Sequence, residues 1–274
     1  MSAPEENLVL ATEIHPTAVV HPTAALDAGV RVGPYTVIHE GCEIGAGTSI
    51  GASCTIGPWT RIGARNHIHS HAAVGGDPQD RLYRGEKTWL VLGDGNEVRE
   101  FATLNRGTTK GDGYTRIGHK NLLMACSHVA HDCVLGDRII LANNVLLAGH
   151  VIVEDGAILN GAAAIQQFTT IGRIAYVGGL TRIVQDVPPF MVVEGNPAKI
   201  WKVNIVGLQR NGYSEDQISA LREAHRVIFR SKHPRAKILA DISSNGAMTP
   251  EVGELVAFLE RMERGTFGRA RNGG

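Results

Sequence analysis

Cysteine is scarce in this chain. The four present, Cys42, Cys54, Cys126 and Cys133, form no CxxC pair, so nothing marks a disulfide framework and a reducing cytoplasm fits best. Aromatic residues make up only 5% of the 274 positions. Neither sign of charge dominates: 27 Lys and Arg balance 27 Asp and Glu, which excludes a general electrostatic pull toward nucleic acid or an anionic membrane. No apolar run is long enough to span a bilayer. The opening "MSAPEENLVLATEI" is acidic and has neither the basic n-region nor the apolar h-region of a signal peptide. The expectation is a cytoplasmic protein without nucleic-acid partners or integral membrane contact. At 43% hydrophobic and 20% charged, the chain can bury a full core in one or two domains. Glycine is what it has in excess, 33 residues. Many glycines with few aromatics suggest a tightly coiled, turn-rich scaffold.

A six-residue repeat explains that composition. Every sixth residue from Ile14 is aliphatic: Val20, Leu26, Val32, Ile38, Ile44, Ile50, Ile56, Ile62, Ile68 and Val74. The count resumes at Leu92, Val98 and Leu104, and again from Ile117 through Leu123, Val129, Leu135, Leu141, Leu147, Val153, Leu159, Ile165, Ile171 and Val177 to Ile183. A helix needs apolar residues at three- and four-residue steps, and a simple strand needs alternation. A period of six fits neither. It predicts a solenoid in which each hexapeptide is one short extended face plus a turn, and three faces close a triangular coil with the aliphatic side chain inside. Glycines directly after the aliphatic residue (33, 45, 51, 57 and 63) suit tight turns by small size or unusual dihedrals. One coil buries little, so many must stack.

Two segments break the period: "GGDPQDRLYRGEKTW" (75–89) and "NRGTTKGDGYT" (105–115). Both read as loops thrown out from the prism. After Ile183 the prolines of "QDVPPF" mark a boundary. The tail reads as helical. Ser214 with Gln217 is a capping box ahead of Ile218, Leu221, Val227 and Ile228. Thr249 and Pro250 open a second helix whose apolar face is Leu255, Phe258, Leu259 and Met262. The closing "GRARNGG" is expected to lack fixed structure. The resulting division is a lead at 1–13, a mostly β solenoid at 14–190 with loops at 75–90 and 105–116, and a small α-helical C-terminal domain at 191–274.

Three hexads per coil place residues eighteen apart above one another. His131 then stacks under Gly149 and Gln167, and Asp132 under His150. "AHD" (130–132), "AGH" (148–150) and the start of "QQF" at Gln166 should form one column. A His beside an Asp, near a glycine amide, suits acyl transfer to a hydroxyl. The base removes the proton that makes a hydroxyl a poor nucleophile, the amide stabilises the oxyanion, and the Asp holds the imidazole tautomer.

The hexapeptides resemble those of the acyltransferases built on a left-handed parallel β-helix. The left hand comes from that resemblance, since the general crossover rule points the other way. The run "NLLMACSHVAHDCVLGD", with "LANNVLLAGHV", "AIQQFTTIG", "QDVPPF" and the "VNIVGLQRNGYS" entry to the tail, is more specific. It resembles the UDP-N-acetylglucosamine O-acyltransferase family, cytosolic enzymes that open lipid A synthesis, over nearly the whole chain. The resemblance implies His131 as general base on the glucosamine 3-hydroxyl, Asp132 as its partner and the Gly149 amide at the oxyanion. It also implies His150 on the sugar, Gln79 and Asp80 lining the sugar–nucleotide site, and Asn204 and Arg210 at the nucleotide phosphates. Met124, Gln167 and Gly179 would sit along an acyl groove, with Gly179 leaving room for a long chain. The implied donor is an (R)-3-hydroxyacyl group on acyl carrier protein, an acidic partner docked by local Arg and Lys. The implied assembly is a homotrimer with sites between neighbouring prisms. No metal or redox cofactor is implied, and attack is direct, because no activated Ser or Cys joins the column.

Two positions depart from the family pattern. Leu82 stands where a Lys is usual, leaving Arg81 as the candidate cation, and Gln166 stands where a His is usual. Blander roles also apply to several residues. His128 either shapes the pocket or bonds locally. Cys42, Cys54 and Cys133 each precede an aliphatic repeat residue by two and should point inward. His67, His69 and His71 alternate about Ile68 and so face outward, and "HPTAVVHPTA" (15–24) reads as turn chemistry. Rival functions are a trimeric zinc carbonic anhydrase using His128, His131 and His150, acyl transfer to a 3-amino sugar, and a scaffold without catalysis.

Overall fold

The computed structural model describes residues 11–231, 235–244 and 248–271. From Glu13 the chain winds as a three-faced parallel β-helix of two-residue strands, with a few longer ones around the loops. The hand is left, as the resemblance implied. Strands pair at the expected eighteen-residue offset, such as Ile14 with Val32 and Leu123 with Leu141. Every aliphatic repeat residue from Val32 to Ile183 is buried, most of them completely. Burial of such side chains contributes about 1.5–3 kcal/mol each. Ile14, in the first coil, is still 47% exposed.

From Val30 onward the positions two before each repeat residue are also buried, and most take small side chains. Cys42, Cys54 and Cys133 lie there, at most 1% exposed. Burial pushes the Cys133 thiol up to about 12 and the Cys42 thiol to about 11, which leaves both unreactive. Asn66, Asn96 and Asn121 form an internal ladder, each Oδ1 accepting the backbone N–H of the next rung (2.8, 2.9 and 2.7 Å).

Of the two roles expected for the turn glycines, small size is the one they fill. Gly33, Gly45, Gly51, Gly57 and Gly63 are not in the left-handed region. They are there for closeness: a methyl at Gly45 would sit 2.6 Å from the Gly63 carbonyl carbon. The left-handed residue falls three before the next repeat residue, and most such positions are not glycine: Tyr35, Ser53, Arg65, Asp132, His150 and Phe168 all have φ between 55° and 63° or close to it. The conformation costs roughly 1–2 kcal/mol for an L-residue. A recurring rung-to-rung bond offsets it, as in Arg65 N–H to Ala46 O (2.9 Å) and His150 N–H to His131 O (3.0 Å).

Both loops leave from the same edge. The first face begins at Glu13–Ile14, the second at Val19–Val20 and the third at Ala25–Leu26. Residues 77–88 connect a second-face strand to a third-face strand, and so do residues 106–113 one coil later. In the next coil that edge carries His131 and Asp132.

The first face runs one rung beyond Ile183's coil: Met191–Glu194 pairs in parallel with Tyr176–Val177 and in antiparallel with Lys199–Val203. Among the described residues four helices follow: α1 (Ile205–Arg210), α2 (Glu215–Arg230), α3 (Arg235–Ser244) and α4 (Pro250–Arg264). The Ser214–Gln217 capping box closes at both ends, and Thr249 caps α4 with Pro250 in its first turn. Ile218, Leu221 and Ile228 of α2 and Leu255, Phe258, Leu259 and Met262 of α4 are buried, while Val227 is half-buried. Arg173 on the prism holds Glu254 of α4 through two hydrogen bonds. No helix among the described residues is long and apolar enough to cross a membrane.

Candidate active site

The second-to-third edge carries a column of left-handed residues: Asp132, His150 and Phe168. His131 precedes Asp132 and lies over Gly149. A methyl on Gly149 would sit 2.6 Å from His131 Cε1 and 2.8 Å from Nε2, so only glycine lets the imidazole rest there. His131 Nδ1 is 2.7 Å from Asp132 Oδ2. Around the carboxylate, Thr108 donates its N–H to Oδ1 (2.8 Å) and its hydroxyl to Oδ2 (2.7 Å). His150 Nε2 stands 3.4 Å from Oδ2, and its ring stacks on Phe168 with centroids 4.6 Å apart.

The electrostatics follow from these contacts. Burial raises the Asp132 carboxyl, but bonds from His131 and Thr108 outweigh it and hold the group below its ordinary range. An ionised carboxylate only accepts, so His131 Nδ1 carries the proton and Nε2 presents a lone pair. Burial pushes His150 down, against the pull of Asp132, and the neighbouring His131, Arg271 and Lys110 push the same way as burial. His128 is also lowered, by burial and then by His131. The backbone N–H groups of Ala148 and His150 are bonded to Ile165 O and His131 O, whereas the Gly149 N–H between them has no acceptor among the described residues.

The two loops close over this edge. Asp80 of the first pairs with Lys110 of the second at 2.8 Å, and its other oxygen takes the Leu82 N–H at 2.9 Å. The hydrogen bond from Lys110 holds Asp80 below its ordinary range. Gln79, Arg81 and Leu82 are exposed. Arg81 offers its carbonyl to Arg84 at 2.8 Å, and the cation bound to Asp80 is Lys110. Arg106, buried to 1%, ties the loops together: it donates to Gly75 O (2.9 Å), Tyr83 Oη (2.9 Å) and Asp77.

Gln167 is exposed on the same edge as His131. His128 lies on the second face, its Nδ1 2.7 Å from Thr103 Oγ1. It lines an open groove of 560 Å³ with Leu146, Ala164, Gln166 and Arg182. Met124 and Gly179 lie on the first-to-second edge, where Gly179 approaches Gly161 O. Asn204 lies against the remaining edge. It is the N-cap of α1, its Oδ1 accepting from Gly207 N–H (3.0 Å) and its Nδ2 donating to Ile174 O (2.8 Å). Arg210 ends that helix and is exposed. One protomer therefore assembles His131, Asp132, Gly149, His150 and, of the expected acyl-groove residues, Gln167, and leaves Met124 and Gly179 and the expected phosphate residues Asn204 and Arg210 on its other two edges.

Sequence reasoning missed Thr108, Lys110 and Phe168. Phe168 was within reach, being two rungs above Asp132. Thr108 and Lys110 were signalled only by their loop leaving at the edge that carries His131. Among the described residues, the metal-capable groups that converge are His131, Asp132 and His150, with ligand atoms within 4.8 Å; His128 is not among them. That differs from the three-histidine set of a carbonic anhydrase. The shared carboxylate oxygen is already taken up by His131 and Thr108. Two of the outward histidines have partners: His69 pairs with Glu97 and Glu100, and His71 stacks on Phe101.

Fold and cluster together define a hexapeptide-repeat acyltransferase. Residues 186–267 match the family model described as UDP-N-acetylglucosamine O-acyltransferase, domain 2. The acyl-[acyl-carrier-protein]–UDP-N-acetylglucosamine O-acyltransferase of Myxococcus xanthus is 47% identical over 253 residues, covering 92% of this chain and 98% of that protein. The solved UDP-N-acetylglucosamine O-acyltransferase of Moraxella catarrhalis superimposes with a TM-score of 0.85 at 41% identity, over 89% of this chain and 95% of that one. The Campylobacter jejuni UDP-N-acetylglucosamine acyltransferase gives 0.86 at 37% identity, over 90% and 96%. The chain belongs to the UDP-N-acetylglucosamine O-acyltransferase family.

Proposed function

We propose that this enzyme transfers an (R)-3-hydroxyacyl group from acyl carrier protein to the 3-hydroxyl of UDP-N-acetylglucosamine, the opening step of lipid A synthesis in the cytoplasm. The observation that carries the chemistry is the 2.7 Å bond between His131 Nδ1 and Asp132 Oδ2, which turns Nε2 outward as a base. Nε2 takes the sugar hydroxyl proton as the oxygen attacks the thioester carbonyl, for roughly 10²–10⁴-fold. The Gly149 N–H, which has no acceptor among the described residues, receives the oxyanion, for roughly 10²–10³-fold. Collapse breaks the C–S bond and forms the ester, and the imidazolium returns its proton to the departing thiolate. His150 and the Gln79–Asp80 segment hold the sugar–nucleotide, Arg81 is the candidate cation for its phosphate, and Gln167 lies along the acyl chain.

The three-edge distribution favours a homotrimer. A neighbouring prism brings its Asn204–Arg210 or Met124–Gly179 edge against this His131 edge, completes the site and excludes water. Asn204, its side chain occupied as a helix cap, acts by setting α1 and Arg210.

The test is mass spectrometry of products from UDP-N-acetylglucosamine with a ladder of (R)-3-hydroxyacyl carrier proteins. An O-linked monoacyl product, absent with His131→Ala, supports the reading and gives the chain length, which Gly179 predicts to be long. Retained transfer in His131→Ala refutes the base. Turnover only with a 3-amino sugar reassigns the acceptor.

A further inference from the structure

Residues 268–271 of the tail expected to lack structure are ordered, and they reach the edge that carries His131; residues 272–274 lie outside the described residues. After α4 the chain turns through a bridge between Thr266 and Arg269 and runs beside the second-to-third edge. Asp186, next in the column after Asp132, His150 and Phe168, clasps it. Asp186 N–H donates to Gly268 O (2.9 Å), Ala270 N–H donates to Asp186 Oδ2 (2.7 Å), and Oδ1 takes the Thr170 N–H (2.7 Å). Arg269 donates to Val184 O at 3.1 Å. Arg271 then places Nη2 between two backbone carbonyls, those of His150 (2.9 Å) and Thr169 (3.1 Å), with Nε 3.4 Å from Thr170 Oγ1. The family-model match ends at 267, so residues 268–271 lie past it.

We propose that Arg271 is a positioning residue: its guanidinium ties the His150 carbonyl to the Thr169 rung and fixes the corner from which the His150 ring meets Asp132. The inference rests on the reading of the His131–Asp132–His150 cluster as the reacting centre. His150 holds an unfavourable backbone conformation, φ 61°, and rotation there swings the ring. Its N–H is pinned to His131 O and its ring rests on Phe168. Arg271 pins the carbonyl, the third anchor. A planar guanidinium can bridge two carbonyls with directed N–H groups. The tail thereby links the helical domain to the ring beside the base.

The titratable and charged groups facing His150 are Asp132 and His131 from the coil below, Lys110 from the second loop and Arg271 from the tail. Asp132 favours the imidazolium and the other three oppose it. Removing Arg271 removes one opposing charge, so the His150 midpoint must rise.

The experiment follows the His150 ring resonance in histidine-labelled full-length protein by NMR pH titration, assigned by its loss in His150→Asn. In Arg271→Met the midpoint moves up and kcat/KM for UDP-N-acetylglucosamine falls roughly tenfold, while Arg271→Lys returns both toward wild type. A chain ending at Ala270, which keeps the Asp186 clasp, shows the same rise and serves if Arg271→Met does not fold. A His150 midpoint that stays at the wild-type value in a folded variant overturns the proposal, whatever the rate does. Because the titration needs no turnover, it separates this inference from the assignment of the reaction: loss of transfer to UDP-N-acetylglucosamine in the wild type would refute the latter alone.

Discussion

At the scale of single residues, one hydrogen bond decides which nitrogen of His131 is available. Asp132→Asn removes an acceptor-only partner and frees the ring to adopt the other tautomer, so kcat should fall roughly 10²–10⁴-fold in steady-state assays while the far-ultraviolet spectrum stays unchanged. The same carboxylate leaves a signature in stability. Its pKa in the folded protein is depressed, so its contribution is fully present above the ordinary carboxylate pKa and is lost as pH falls through the folded value. Denaturant titrations of wild type and Asp132→Asn should therefore differ by about 1–3 kcal/mol near neutrality and converge in acid. A gap that holds constant at low pH would count against the ionised pair. Gly149→Ala makes a steric prediction. The added methyl meets His131 Cε1 at 2.6 Å, and the ring, a side-chain end rather than backbone, is what must give way. The variant should fold normally and lose roughly a hundredfold in kcat; wild-type activity would mean that the ring does not work from this position.

At the scale of elements, the loops matter more than the strands. Arg106 donates to Gly75, Asp77 and Tyr83 of the first loop from a side chain that is 1% exposed and stands 5.3 Å over Trp59. That anchor keeps the loop bearing Asp80 against the loop bearing Thr108 and Lys110. Arg106→Met retains the volume and removes the donors. Trypsin should then cut faster at Arg81, Arg84 or Lys87, with a thermal midpoint shift of only a few degrees, because the prism core is untouched. An unchanged digestion pattern would show that the loop is held by other contacts. The left-handed corners belong to this scale too. Asp132, His150 and Phe168 share one unusual backbone conformation because the coil imposes it at every edge, and the site uses three such corners in sequence.

For the whole molecule, three edges with three sets of groups predict shared sites. His131→Ala and Arg210→Ala protomers, each inactive alone, should complement when co-expressed. A site requires an intact His131 edge from one chain and an intact Arg210 from another, so random mixing restores about a quarter of wild-type activity in a cyclic trimer. Activity no higher than that of the parents would place both groups in one chain. Light scattering on the purified protein supplies the oligomer size independently.

The sequence by itself determined the coil, the aliphatic core and the stacking of His131 with Gly149 and Asp132 with His150. It could do so because a repeat of fixed rise converts distance along the chain into position in space. Ile14 to Ile183 is nearly one-dimensional information, and the small residues two positions earlier follow from it. Tertiary structure alone decided the rest. Thr108, Lys110 and Arg106 act from insertions that interrupt the count, so their contacts depend on where a loop of irregular length folds back. The glycines proved to serve closeness rather than left-handed turns, because the rung-to-rung bond lets ordinary residues take the corner. The "GRARNGG" tail reads as solvated from its composition, yet Arg269 and Arg271 find backbone carbonyls at the prism edge and Asp186 clasps the Ala270 N–H between them. No local pattern encodes partners that are more than eighty residues away.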